Sequence, residues 1–228
     1  MQLEFYLPDW SHGWKISSAF VQNARNLQRL TLTEARIGIS FALAIAELPN
    51  LCWLHLDECE INADFQEYIQ GVEPGHIPAM PALRHAELSF PLGATNPVDF
   101  ASWGILTLCG PSLQRLELQT FRFICPDRAD WPHYTRPLRA LRHLEIRSIM
   151  IEGDVPRLIE FLCASAPLAL NKFEIRDPNL QAGEIKILVG QLNKLSPSLS
   201  IININLSDAA LMVELRASYP SIGFGDFS

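Results

Sequence analysis

The sequence predicts an α/β fold, a solenoid in which short parallel strands stack in chain order while helices or loops carry the chain back between them. Three observations predict it. Seven segments fit one template, an apolar residue followed by apolar residues three and five positions later. Several stretches between them carry the apolar period of helices. The series also runs on without a break, so 228 residues that could make one large or two small domains read as a single stack.

Leu3-Glu4-Phe5 matches the last two apolar positions of the template and opens the chain as a partial coil. Full segments follow at Leu27-x-x-Leu30-x-Leu32, Leu51-x-x-Leu54-x-Leu56, Leu83-x-x-Ala86-x-Leu88 and Leu113-x-x-Leu116-x-Leu118. Three more are Leu141-x-x-Leu144-x-Ile146, Leu170-x-x-Phe173-x-Ile175 and Leu199-x-x-Ile202-x-Ile204, and successive starts lie 24, 32, 30, 28, 29 and 29 residues apart. Most have a further apolar residue ten positions after the first: Ile37, Ile61, Phe123, Ile151, Leu180 and, weakly, Ala209. The third segment has Pro91-Leu92-Gly93 there, which predicts an irregular turn. The alternation puts two apolar side chains on one face of a short strand. One such strand cannot bury its face alone, so each coil must stack on the next.

Ser40–Leu48, Val98–Cys109, Val155–Ala164, Ala182–Leu195 and Asp208–Ala217 read as the helices of the return path. Asp154 is expected to cap the third, with Pro156 in its first turn. Pro49, Pro111, Pro167, Pro197 and Pro220 each follow a helical pattern closely and help to stop it. Ile222-Gly223-Phe224 closes the chain as a second partial coil, giving nine strands. The expected bounds are 1–23 for the partial N-terminal coil, 24–215 for the repeats and 216–228 for the partial C-terminal coil, all in one domain. The first coil has no polar capping unit, so either the chain belongs to a longer protein or this edge binds something.

Composition agrees. Thirty-three Leu and twenty Ile in a chain that is 48% apolar and 19% charged exclude a disordered or collagenous protein. No apolar run reaches the ~18 residues of a membrane span, and Met1-Gln2-Leu3-Glu4-Phe5 is unlike a secretory signal. A net charge of −7 disfavours nucleic acid and anionic membranes as partners. Five cysteines without a CxxC pair point to free thiols in a cytoplasmic or nuclear setting, two disulfides and one thiol being the alternative.

These segments resemble a leucine-rich repeat protein over about residues 24 to 215, and the 28–29-residue spacing is similar to that of ribonuclease inhibitor and of F-box/LRR substrate receptors. Leu51-Cys52-Trp53-Leu54-His55-Leu56-Asp57-Glu58-Cys59-Glu60-Ile61 carries Cys59 where that family has Asn or Cys, and there it implies a buried turn residue. The resemblance implies a leucine-rich repeat solenoid of about seven full repeats plus partial ends. It implies a curved parallel sheet on the concave side and helices and loops on the convex side. It also implies a protein-protein interaction module, either for substrate recognition in an F-box-like ubiquitin ligase or as a stand-alone inhibitor or scaffold. An F-box does not fit here: Leu7-Pro8-Asp9-Trp10 follows strand-like Leu3–Leu7, with too few residues before the first repeat. A Skp adaptor is therefore expected as a partner only if an F-box lies upstream of Met1.

The residues between the buried ones form columns on the opposite face of the sheet. One column is Arg29, Trp53, His85, Arg115, His143, Lys172 and Ile201; the next is Thr31, His55, Glu87, Glu117, Glu145, Glu174 and Asn203. The third is Thr33, Asp57, Ser89, Gln119, Arg147, Arg176 and Asn205. Four stacked glutamates repel unless flanking cations offset them. Two readings stand: a mutually neutralised, solvated ladder of weak exposed pairs, or a striped surface that recognises a protein or peptide. Glutamates beside His85 and His143 are expected to raise both pKa values. Trp53 is either an interface anchor, with His55 and Cys52 beside it, or packed on its neighbours.

The loops Asn62–Ala82 and Ile124–Pro137 are read as irregular, and in the second Trp131, His133 and Tyr134 are weaker binding candidates. No G-x-S-x-G, H-E-x-x-H or P-loop is present. Asp127, Asp130 and His133 lack the spacing of a zincin site, so no enzyme activity, metal or cofactor is expected, an enzyme built on the irregular loops being the remote alternative.

Overall fold

The structure, a computed structural model, describes residues 2–6, 24–72, 76–89, 105–106, 108–119, 138–147, 154–166, 168–176, 180–204 and 208–225. Among the described residues nine strands form one parallel sheet: β1 (Gln2–Tyr6), β2 (Arg29–Thr33), β4 (Trp53–Asp57), β6 (His85–Ser89), β7 (Arg115–Gln119), β8 (His143–Arg147), β9 (Lys172–Arg176), β10 (Ile201–Ile204) and β11 (Gly223–Gly225). Their order across the sheet is their order in the chain. Each template segment pairs in register with the next, so Leu30, Leu54, Ala86, Leu116, Leu144, Phe173 and Ile202 stand in one row. The template holds because every one of its apolar positions in the seven segments is buried.

A second, two-stranded parallel sheet joins β3 (Arg36–Ile37) to β5 (Glu60–Ile61), pairing the residues ten positions after the first leucine. The chain reaches it through Glu34 and Glu58, both in the left-handed region, with φ of 54° and 49°. Cys59 lies buried in the second of these turns, its Sγ 3.4 Å from the Leu32 carbonyl, as the resemblance implies. Cys52, Cys59, Cys109 and Cys163 are free thiols, and Cys125 lies outside the described residues.

Helices close the core against the leucine face of the sheet. They are α1 (Ile39–Ala46), α2 (Ala63–Gly71), α3 (Asp154–Ala164), α4 (Ala182–Leu195) and α5 (Ala209–Ser218). Phe41, Ile45, Phe65, Leu158, Phe161, Leu188 and Leu215 join the strand leucines in one continuous core. α4 starts with a capping box between Gln181 and Glu184. α5 starts with Asp208 accepting from the Ala210 and Leu211 amides at 2.9 and 3.1 Å. α3 begins at Asp154 itself, one residue before the expected start.

α2 corrects the reading of Asn62–Ala82 as an irregular loop. Its anchor is Phe65, fully buried and stacked on Tyr68 one turn later at 6.5 Å. Asp64 in its first turn also accepts the Ile39 amide of α1 at 3.3 Å, which ties the two helices together. The expected helix at Val98–Cys109, and the turns at Pro91, Phe123 and Ile151, lie largely or wholly outside the described residues. No helix among the described residues is long and apolar enough to cross a membrane.

Candidate functional site

The polar face of the sheet is set by strand register. Glu4, Thr31, His55, Glu87, Glu117, Glu145, Glu174, Asn203 and Gly225 stand side by side on nine successive strands. Arg29, Trp53, His85, Arg115, His143, Lys172 and Ile201 form the neighbouring column. Gln119, Arg147 and Arg176 form part of the third.

One of the two sequence readings is a mutually neutralised ladder of solvated glutamates. Instead Glu117, Glu145 and Glu174 are buried, at 5%, 2% and 5% exposure. The long cationic side chains on both flanking columns lean inward and cover them, because an isolated carboxylate so placed is costly and a charged hydrogen bond is the available compensation. Arg115 Nε lies 2.6 Å from Glu117 Oε1, and Arg147 bridges two strands, with Nη2 2.9 Å from Glu117 Oε2 and Nε 2.7 Å from Glu145 Oε1. Arg176 and Arg115 also approach Glu145, at 3.3 and 3.6 Å. Glu174 is held by His143 at 2.6 Å, Lys172 at 2.8 Å and the Asn203 amide at 2.9 Å. Among the described residues, the cations over these glutamates are the exposed members: Arg115, Arg147, Arg176 and Lys172 are each between a third and a half exposed.

The electrostatics follow from these contacts. The His85 hydrogen bond, with help from Arg115 and Arg147, overcomes burial and holds Glu117 at about 2. Burial pushes Glu174 up, but the bonds from Lys172, Asn203 and His143 outweigh it and hold that carboxyl at about 2 as well. Arg147 is raised, first by its bond to Glu145. His143 goes against expectation. Its pKa is lowered, because burial and the charge of Arg115 outweigh the pull of Glu174.

The first half of the face differs. Trp53 packs against its neighbours, with the Arg29 guanidinium 4.5 Å over its ring and His55 and His85 edge-on at 5.6 and 5.8 Å. Glu87 has His55 as an ionic partner, at 3.8 Å. His85 lies 3.1 Å from Glu117. Among the described residues, two groups bring metal-ligating atoms within 4.8 Å of one another: His85, Glu87 and Glu117, and His143, Glu145 and Glu174.

Arg29, Trp53, His55, His85, Glu87, Arg115, Glu117, His143, Glu145, Arg147, Lys172, Glu174 and Arg176 thus lie on one continuous face. Trp131, His133, Tyr134, Asp127 and Asp130 lie outside the described residues. Two residues were not singled out by sequence. Asn203 caps Glu174, and Gly225 leaves room for that amide, since a Cβ there would sit 2.4 Å from Asn203 Oδ1. Their signal is the register column, legible once the strands are paired. No family model matches the chain, and no curated protein matches it either.

Proposed function

We propose that the chain is a leucine-rich repeat solenoid that serves as a protein-interaction module, docking a protein or peptide on the polar face of its sheet. The observation that carries this reading is the fixed layer of Arg115, Arg147, Arg176 and Lys172 over buried glutamates. Such a layer presents N–H donors oriented by their ion pairs to whatever lies against it, which lowers the cost of ordering side chains on binding. The parallel sheet in chain order and the buried template support the solenoid. Substrate recognition in an F-box-like ubiquitin ligase, in the cytoplasm or nucleus and without enzymatic activity of its own, is the setting we favour. Its Skp adaptor contact would require an F-box upstream of this chain.

The test is capture of partners from a cell extract by the wild-type chain and by two charge reversals. Lys172→Glu lies on the polar face, and Lys186→Glu lies on α4, where Lys186 pairs with Glu214. Loss of a captured protein with the first and not the second supports the reading, and the reverse pattern overturns it. Recovery of Skp and cullin with an upstream-extended chain selects the ligase setting over a stand-alone inhibitor or scaffold.

A further inference from the structure

We propose that the occupant of the polar face is an acidic peptide segment with one large apolar residue. Its carboxylates lie on Arg115, Arg147, Lys172 and Arg176 and its apolar side chain lies on Ile201; this rests on the reading of the chain as an interaction module. Charge in this part of the face is sorted by depth. The side chains of Glu117, Glu145 and Glu174 are 2% to 7% exposed, whereas the four cations over them are 34% to 49% exposed. Four cations against three carboxylates leave one positive charge over, and the cations are the members that solvent reaches.

Pairing does not exhaust these cations. Arg147 meets Glu145 and Glu117 through Nε and Nη2, one edge of a planar fork with five N–H donors. The other edge of such a fork, Nη1 with Nη2, also matches a carboxylate. Arg115 likewise turns Nε to Glu117, and the Lys172 ammonium, with three donors, lies 2.8 Å from Glu174. An incoming carboxylate can therefore bind from the solvent side while the buried glutamates keep their partners.

Two neighbours fix where the segment lies. Glu87 on β6, 22% exposed, repels a carboxylate, so the footprint begins at β7. At the other end Ile201 on β10 stands beside Lys172 in the register and is 42% exposed. Among the described residues it is the one exposed large hydrophobic side chain of the sheet, Ile187 and Val213 lying on α4 and α5. Its neighbour on β11 is Gly223, which has no side chain to cover it. From β7 to β10 the sheet spans roughly 14 Å, which about five extended residues cross. The chain's net charge of −7 opposes a long polyanion such as nucleic acid more than a short segment. The few charges of that segment lie within a Debye length, about 8 Å, of the cations.

The experiment measures fluorescence anisotropy of labelled Glu-Glu-Glu-Glu-Leu and Leu-Glu-Glu-Glu-Glu with the full chain. At least one order should bind, more tightly than versions with Ser for Leu or Gln for Glu, and added salt should weaken it. Arg176→Gln should lower the affinity about tenfold. Ile201→Ser should remove the preference for Leu over Ser, and Lys186→Gln on α4 should change neither. The comparisons between peptides on the wild-type chain decide the matter even if a variant fails to fold. Binding of neither order, equal binding of the Gln version, tighter binding of an oligo-dT strand, wild-type affinity in Arg176→Gln or an undiminished Leu preference in Ile201→Ser would each overturn the proposal. If the peptides fail while capture from extract still falls with Lys172→Glu, the acidic partner is wrong and the interaction module stands; if that capture is insensitive to Lys172→Glu, the module reading itself fails.

Discussion

Replacing Glu174 by glutamine removes one charge from the polar face and keeps its shape. The carboxylate is 6% exposed on its side chain, so water screens little of what it gains from Lys172, His143 and Asn203. Its pKa falls from 4.5 to about 2 on folding, which corresponds to about 3 kcal/mol at about 1.4 kcal/mol per pH unit. A depressed carboxylate contributes fully above its unfolded value and loses that contribution as pH falls through its folded value. The ionic part of the stability gap between wild type and Glu174→Gln should therefore be about 3 kcal/mol near neutrality, about 2 kcal/mol at about pH 3.5 and under about 1 kcal/mol at about pH 2.5. Glu117, also held at about 2, titrates in both proteins and cancels in the difference. Urea unfolding followed by circular dichroism at these pH values measures the gap. A gap that stays constant from neutrality to about pH 3 would refute the reasoning, because Glu174 would then gain nothing from being ionised.

His143 should titrate below 6.5, since burial and Arg115 favour its neutral form. It therefore supports the fold above that value and weakens it as pH falls through it, and an NMR titration of the imidazole gives the direction. Gly225→Ala should displace the Asn203 amide and cost about 1–2 kcal/mol. In a double-mutant cycle most of that cost should vanish when Asn203 is already alanine. Gly110→Ala would bring a Cβ to 2.5 Å from the Met80 carbonyl, a backbone atom that cannot swing away. A loss of about 1–3 kcal/mol is expected, read as a lower midpoint in denaturant. Burial pushes the thiols of Cys59 and Cys109 up to about 11 and about 12. Iodoacetamide at mildly alkaline pH should modify exposed Cys163 and spare both until the chain unfolds, as peptide mass mapping can check.

The strands were legible because burial of Leu30, Leu54 and their counterparts is dictated by a period of two, which a single sequence displays. α2 was not. Its polar residues and the nearby Pro74-Gly75 hide a short helix whose decisive contact is Phe65 against a core assembled from distant coils. The members of the polar face were likewise visible, since their spacing follows the strands. Their burial was not, because period two gives the direction of a side chain and says nothing of how far Arg147 reaches across to Glu117. The same limit explains His143: adjacent glutamates are read from the sequence, whereas desolvation and the Arg115 charge belong to the assembled sheet.

Because strand order in the sheet copies chain order, tension applied through β1 and β11 would load the outermost ladder first and unzip the sheet strand by strand. It would not shear all of the ladders at once. Each strand released between successive template segments frees 24 to 32 residues, or roughly 100 Å of extended chain. Such a sheet yields in serial increments and re-forms against the neighbour that remains. The protein can therefore give way at one margin while the charged interior of its face stays assembled.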